Sequence, residues 1–223
     1  MDRSNIRKSI LSISTPGTHL VAGDDKLAAR VTRECNRFAA ELKQRMPDRF
    51  GYFASLPIPD VQTCLTEIEV CLDEGCDGFV MLTNGHSIYP GDTILDPIFD
   101  ELNRRQATLF FHPTTPLCPC SPEPDAAGGK PVKATPLAHK YPNPMMEFFF
   151  DTARMVTNLF LSGTSRFSGF STLVPGPWTG VSEDEVREAF RKQIWFDLAG
   201  FPFPGQIRGL LAAGVDHSRL LYG

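Results

Sequence analysis

Three histidines carry the chemistry that this sequence offers. His112 ends the apolar run Ala107-Thr-Leu-Phe-Phe-His112 and is followed at once by Pro113 and then by Pro116. Apolar and aromatic residues bounded by proline read as a strand covered on both faces, as in a parallel sheet, and Pro113 takes the chain out of the sheet just past the imidazole. A histidine at that rim of an α/β barrel is a first-choice metal ligand or acid/base group, because such barrels build their sites at the C-terminal ends of strands. Taken alone, it also fits a satisfied core histidine. His86 closes Thr83-Asn-Gly-His86, just past the apolar run Gly78-Phe-Val-Met-Leu82, and His19 follows Thr15-Pro-Gly17. Both are read as substrate contacts at the same rim, with a polar turn residue as the alternative for His86. His139 and His217 read as surface residues.

These side chains need elements to hold them, and the chain alternates strand and helix. Ser9–Ser14 is β-like and ends in turn chemistry at Thr15-Pro-Gly17. Asp24 to Met46 reads as an amphipathic helix with Leu27, Val31, Phe38 and Leu42 among charges, capped by Gly23 or Asp24. Phe50–Leu56 is a second strand and Asp60–Glu74 a second helix ending at Gly75. Gly78–Leu82, Leu95–Arg105 and Thr108–Phe111 repeat the unit. Residues 113–144 break the rhythm with many prolines and Gly128-Gly129, which marks a loop able to fold over the mouth of a site. Helix returns at Met145–Leu161, followed by a strand at Phe170–Val174, a helix at Glu183–Lys192, a strand at Ile194–Leu198, a helix at Gly205–Ala213 and the start of a strand at Arg219–Tyr222. Strict alternation argues for βα units joined by right-handed crossovers around a parallel sheet. The expected fold is an incomplete TIM-type (β/α)8 barrel forming a single domain over residues 1–223, without its first strand and the end of its last unit.

Composition narrows the function. With 223 residues, 42% hydrophobic, 22% charged and a net charge of -4, the chain has the profile of a globular protein. It has no basic stripe for a phosphate backbone and no apolar run that would span a bilayer, so neither nucleic acid nor membrane is an expected partner. The polar N-terminus Met1–Lys8 lacks a secretory h-region, and a cytoplasmic protein is expected. Its cysteines are expected to be reduced, and Cys118-x-Cys120, without a second pair at zinc spacing, reads as part of a Pro/Cys-rich loop.

Five segments together resemble a known family. They are Tyr89-Pro-Gly-Asp92, Asp100-Glu-Leu-Asn-Arg-Arg105, Phe111-His-Pro-Thr114, Phe150-Asp-Thr-Ala-Arg154 with Asn158-Leu159 and Leu161-Ser-Gly163, and Ser218-Arg-Leu-Leu-Tyr-Gly223. In order and spacing the chain resembles the aromatic-acid decarboxylase branch of the amidohydrolase superfamily. The resemblance implies a metal-dependent carboxy-lyase acting on a small aromatic carboxylic acid, with zinc or manganese bound in a barrel and a homodimer as a possible assembly. It also implies that His112 matches the metal-ligating histidine after the family's fifth strand. In the family, the metal binds the substrate carboxylate and a carboxylic acid protonates the ring carbon. This sequence departs from the pattern: it has no His-x-His pair, it stops at Gly223 before the family's Ser-Asp, and Val174-Pro-Gly-Pro-Trp178 stands where a histidine followed by glycines is usual. A truncated, inactive family member is therefore the alternative.

Overall fold

The computed structural model describes residues 1–118, 132–162, 183–198 and 204–221, which group into two compact units, Met1–Leu159 and Phe160–Gly223. In the first unit the order is β1 (Ser9–Leu11), α1 (Asp25–Arg45), β2 (Phe50–Ser55), α2 (Val61–Asp73), β3 (Gly78–Leu82), α3 (Asp96–Arg104) and β4 (Leu109–His112). The four strands form one parallel sheet in sequence order, with Leu11 beside Tyr52, Ser55 beside Val80 and Leu82 beside His112. This is the succession of βα units that the alternation predicts.

Local signals set the ends. The Asp24 side chain accepts from Leu27 N at 3.0 Å to start α1, and Asp60 accepts from Thr63 N at 3.1 Å to start α2. Gly75, at φ +77, takes the left-handed conformation that stops α2. Side chains alternate across each strand. Tyr52, Ala54, Phe79 and Met81 are fully buried against the helices with Ile68, Leu95 and Ile98, and Leu109 and Phe111 pack on the same cluster. The other face of the sheet therefore carries Phe53 and Ser55, Val80 and Leu82, and Phe110 and His112.

The first helix buries a different stripe from the one its large apolar residues suggest. Ala28, Thr32, Asn36 and Ala40 face inward, whereas Phe38 is 62% exposed. The reason lies at the sheet edge. β1 ends beside Tyr52, and further along β2 the backbone of Ser55 is met by a side chain: Ser55 N donates to Asn36 Oδ1 at 2.7 Å and Asn36 Nδ2 donates back to Ser55 O at 3.2 Å. Asn36 Nδ2 also donates to Glu67 at 2.8 Å, and Arg33 pairs with Glu67 at 3.1 Å. A small, polar helix face is what lets α1 approach closely enough to satisfy those groups.

Past β4 the predicted loop contains the short antiparallel pair β5 (Leu117–Cys118) and β6 (Val132–Lys133). Cys35, Cys64, Cys71 and Cys76 are free thiols, but Cys118 is disulfide-bonded, which corrects the expectation of reduced cysteines throughout. Spacing alone gave no reason to oxidise a residue of this loop. Helix α4 (Glu147–Ser162) follows. The second unit contains α5 (Glu183–Lys192), β7 (Phe196–Asp197), α6 (Gly205–Ala212) and β8 (Leu220–Leu221), with β7 and β8 parallel. The strand expected at Phe170–Val174 lies outside the described residues. No helix among the described residues is long and apolar enough to cross a membrane.

Candidate functional site

All four parallel strands release their chain at one end of the sheet, and a cavity of about 320 Å³ lies there. Its walls come from the β1–α1 loop (Thr15, Thr18, His19), the end of β2 (Ser55, Leu56, Ile58), the end of β3 (Leu82, Asn84, His86) and the β4 exit (Thr114, Thr115), with Leu117 and Lys133 from the hairpin. The described residues around it include no Asp or Glu, and its one lysine is Lys133.

Two loops are tied down by buried polar contacts. In the β1–α1 loop, Thr15 and Thr114 hydroxyls meet at 2.7 Å, and Thr32 Oγ1 donates to Thr18 Oγ1 at 2.7 Å. The β3 loop is anchored on Asp151 of α4, which is completely buried. Its carboxylate accepts from Thr83 Oγ1, from Tyr89 OH and, at 2.9 Å, from Asn84 Nδ2. Asn158, two turns along α4, donates to Pro90 O at 3.1 Å. Gly91, at φ +104, is required there, because a Cβ would come within 2.9 Å of the Asn158 backbone. Burial, together with the Asp151 carboxylate, pushes the Tyr89 phenol well above its ordinary range, against a smaller opposing effect of Arg154. Arg154 thus bears on Tyr89, and Glu147, at the start of α4, accepts from Leu137 N at 2.7 Å.

The anchored loops bring together two of the histidines singled out from sequence. His86 Nε2 lies 2.9 Å from His19 Nδ1 and 3.0 Å from His19 O, and His19 Nε2 lies 2.9 Å from Asp25 Oδ1. The carbonyl of His19 can only accept, so His86 carries its proton on Nε2 and shares it between O and Nδ1 of His19. His19 then holds its own proton on Nε2 and donates to Asp25. That leaves Nδ1 of His86 bare. Burial, and then the neighbouring His19, push the His86 pKa below its ordinary value, with the backbone contact opposing. The turn that presents His86 is strained: Gly85 and Ile88 exchange both backbone hydrogen bonds, and the two residues between them, His86 and Ser87, stand at φ 51 and 77. Turns of that shape favour Asn-Gly, so non-glycine residues here are held by their surroundings.

His112 stands apart from the pair. It ends β4 on the face of the sheet shared with Phe110, 6.2 Å away by ring centres, and is hydrogen-bonded through Nδ1 to Pro113 O at 2.7 Å. It does not line the cavity, although its strand partner Leu82 does. The Nδ1–H donated to a carbonyl leaves Nε2 as a free lone pair, the arrangement of a metal-ligating histidine. One ligand is not a site: no group of three or more His, Cys, Asp or Glu among the described residues could hold a metal ion, whereas a catalytic zinc takes three protein ligands. His139 and His217 are exposed, as expected.

Asp25, Ser55, Lys133 and the anchoring role of Asp151 were not legible as site features. Asp25 reads as a helix-start acid, Ser55 as a strand residue and Lys133 as part of a loop; only Asp151 carried a signal, within Phe150-Asp-Thr-Ala-Arg154.

A sheet built from consecutive parallel βα units, with a cavity at the carboxyl ends of its strands, defines a barrel-type α/β enzyme scaffold. The chain belongs to the amidohydrolase family, whose model matches residues 14–151. A 6-methylsalicylic acid decarboxylase from Aspergillus aculeatus is 31% identical over 87% of this chain, which spans 62% of that enzyme's length. Among solved structures, an amidohydrolase II structure superposes with a TM-score of 0.79 at 28% identity, covering all of this chain and 72% of its own. A dihydroxybenzoic acid decarboxylase from Polaromonas sp. JS666, solved with bound manganese and 2-nitroresorcinol, superposes with a TM-score of 0.75 at 18% identity, covering all of this chain and 72% of its own. These neighbours share the barrel fold expected from sequence.

Proposed function

We propose that the chain serves the decarboxylation of a small aromatic carboxylic acid, with the acid bound in the cavity at the strand ends and His19 and His86 in contact with it. The observation that carries this reading is the cavity itself: it is small, walled by aliphatic side chains, free of carboxylates among the described residues, and supplied with an imidazole pair, hydroxyls and Lys133. Such a lining accepts a flat organic anion and rejects a cation. The 31% identity to a 6-methylsalicylic acid decarboxylase points to the same chemistry. In it, the bond from ring carbon to carboxylate breaks, its electron pair stays on the ring, a proton replaces the carboxylate there, and carbon dioxide leaves.

What the chain's own residues contribute is binding and orientation. Asp25 and His19 fix the tautomer of His86, and its lowered pKa keeps that ring neutral near pH 7, so it offers an acceptor rather than a charge. The positive charge facing the acid comes from Lys133. His112, its Nδ1 turned to Pro113 O, is placed to offer Nε2 to a divalent metal, zinc or manganese; the described residues do not complete a ligand set around it, and no step is assigned to it.

The test is release of labelled carbon dioxide from 6-methylsalicylate carrying 13C in its carboxylate, with manganese or zinc supplied. Release that is lost or strongly reduced in His86→Ala supports the reading. Tight binding of the acid with no release under either metal would show an inactive family member, and absence of binding would remove the cavity as the site.

A further inference from the structure

Replacing a carboxylate by hydrogen on a ring consumes a proton, and the described residues around the cavity include no Asp or Glu to give one. The side chains there that carry an exchangeable proton on nitrogen at neutral pH are His19, His86, Asn84 and Lys133. An amide does not act as an acid, and a lysine ordinarily releases its proton only near about pH 10. His19 spends both ring nitrogens, Nδ1 toward His86 and Nε2 toward Asp25, each at 2.9 Å. His86 spends only Nε2, which leaves Nδ1 as the nitrogen of the pair open to a ligand. The row runs from the cavity wall through His19, whose side chain is 4% exposed, to Asp25, whose side chain is 63% exposed. It is compatible with a proton on His86 Nδ1. The imidazolium would still donate through Nε2 to His19, His19 would still donate to the Asp25 carboxylate, and the first of these bonds would be strengthened by charge.

We propose that His86 takes up a proton on Nδ1 when the acid enters the cavity and gives it to the ring carbon, with His19 and Asp25 as positioning residues behind it. The inference rests on the reading of the cavity as an aromatic-acid site and adds the source of the proton. In the free protein, burial and then His19 favour the neutral ring. The titratable groups around His86 are His19 from the β1–α1 loop, Asp25 behind it at the start of α1, and Lys133 from the hairpin; the ends of β2 and β4 bring only hydroxyls and apolar side chains to the cavity. An entering carboxylate offsets Lys133 and favours the imidazolium. The proton comes from solvent, which reaches the partly exposed His86. A π pair of the ring then forms the new C–H bond as the Nδ1–H bond breaks, the bond to the carboxylate breaks and returns its pair to the ring, carbon dioxide leaves, and His86 is neutral again.

The experiment is calorimetric titration of the full chain with 6-methylsalicylate, without added metal, in PIPES and in Tris at about pH 7.5, where the difference in binding heat between buffers of different ionisation enthalpy counts the protons taken up. The wild type is expected to take up about half a proton or more per acid bound. His86→Asn keeps the turn, because asparagine tolerates the φ of 51, and is expected to bind the acid within about tenfold of wild type with no uptake. With manganese supplied, its carbon dioxide release falls by roughly 100-fold or more. Asp25→Asn keeps an acceptor for His19 but removes the charge, and the midpoint of uptake moves to lower pH by about half a pH unit. Binding by the wild type without uptake, uptake that persists in His86→Asn, or release at the wild-type rate in that variant would overturn the role of His86 while leaving the cavity as the site. Failure of the wild type to bind the acid overturns the underlying reading and this inference with it.

Discussion

Replacing Asp151 by alanine is the perturbation with the largest expected effect outside the hydrophobic core. Its carboxylate is completely buried and accepts from Thr83, Asn84 and Tyr89, three residues of the loop that carries His86. A hydrogen bond to a charged acceptor contributes about 1.5–3 kcal/mol, so the gross loss is about 4.5–9 kcal/mol. Part of it is recovered, because Asn84 keeps its bond to Thr115 O and Thr83 still accepts from Thr114 N. A net destabilisation of about 3–5 kcal/mol follows, in line with removing one partner from a buried charged network. For a unit of 159 residues this lowers the melting temperature by roughly 10 °C. Asp151→Asn keeps a carbonyl oxygen for Thr83 and Asn84 and requires only that Tyr89 turn its hydroxyl to accept, so its cost is about 1–2 kcal/mol. Thermal denaturation followed by circular dichroism measures both. An alanine variant melting within about 2 °C of wild type would refute the anchoring role.

The remaining predictions concern the imidazole pair and its turn. Because the fold depresses the pKa of His86, the unfolded chain binds more protons between that lowered value and 6.5. The stability His86 contributes is therefore fully present above pH 6.5 and is lost as pH falls through the folded value; urea midpoints between pH 7.5 and 5 should fall less in His86→Gln than in wild type. Ser87→Gly relieves the positive φ of 77 and is expected to raise stability by about 0.5–1 kcal/mol in urea titration, despite the greater freedom it gives the unfolded chain. Asn36→Ala strips the partner from both backbone groups of Ser55 and from Glu67, and a loss of about 2–4 kcal/mol is expected in the same assay.

Most of the fold of the first unit was legible because its signals are local. Gly78–Leu82 is a strand over the residues its apolar run marks, and Asp60 and Gly75 punctuate α2 as their chemistry requires. The buried face of α1 was not legible, since Phe38 and Leu42 advertise a hydrophobic stripe while the contact that decides the packing is Asn36 with a strand edge far away in sequence. The site divides in the same way. His19, His86 and His112 were identified by their place just past apolar runs, but periodicity carries no information about which loop tips meet. The pairing of His19 with His86 across 67 residues and the absence of His112 from the cavity wall emerge only when the loops are folded onto one another.

The central claim, that loops at the carboxyl ends of β1, β2 and β3 form the acid-binding cavity, is tested most directly by 15N spectra of the histidine side chains during titration with 6-methylsalicylate. The account predicts that the ring resonances of His19 and His86 shift with saturation, while those of the exposed His139 and His217 stay in place. Saturable binding that moves neither His19 nor His86 would contradict it.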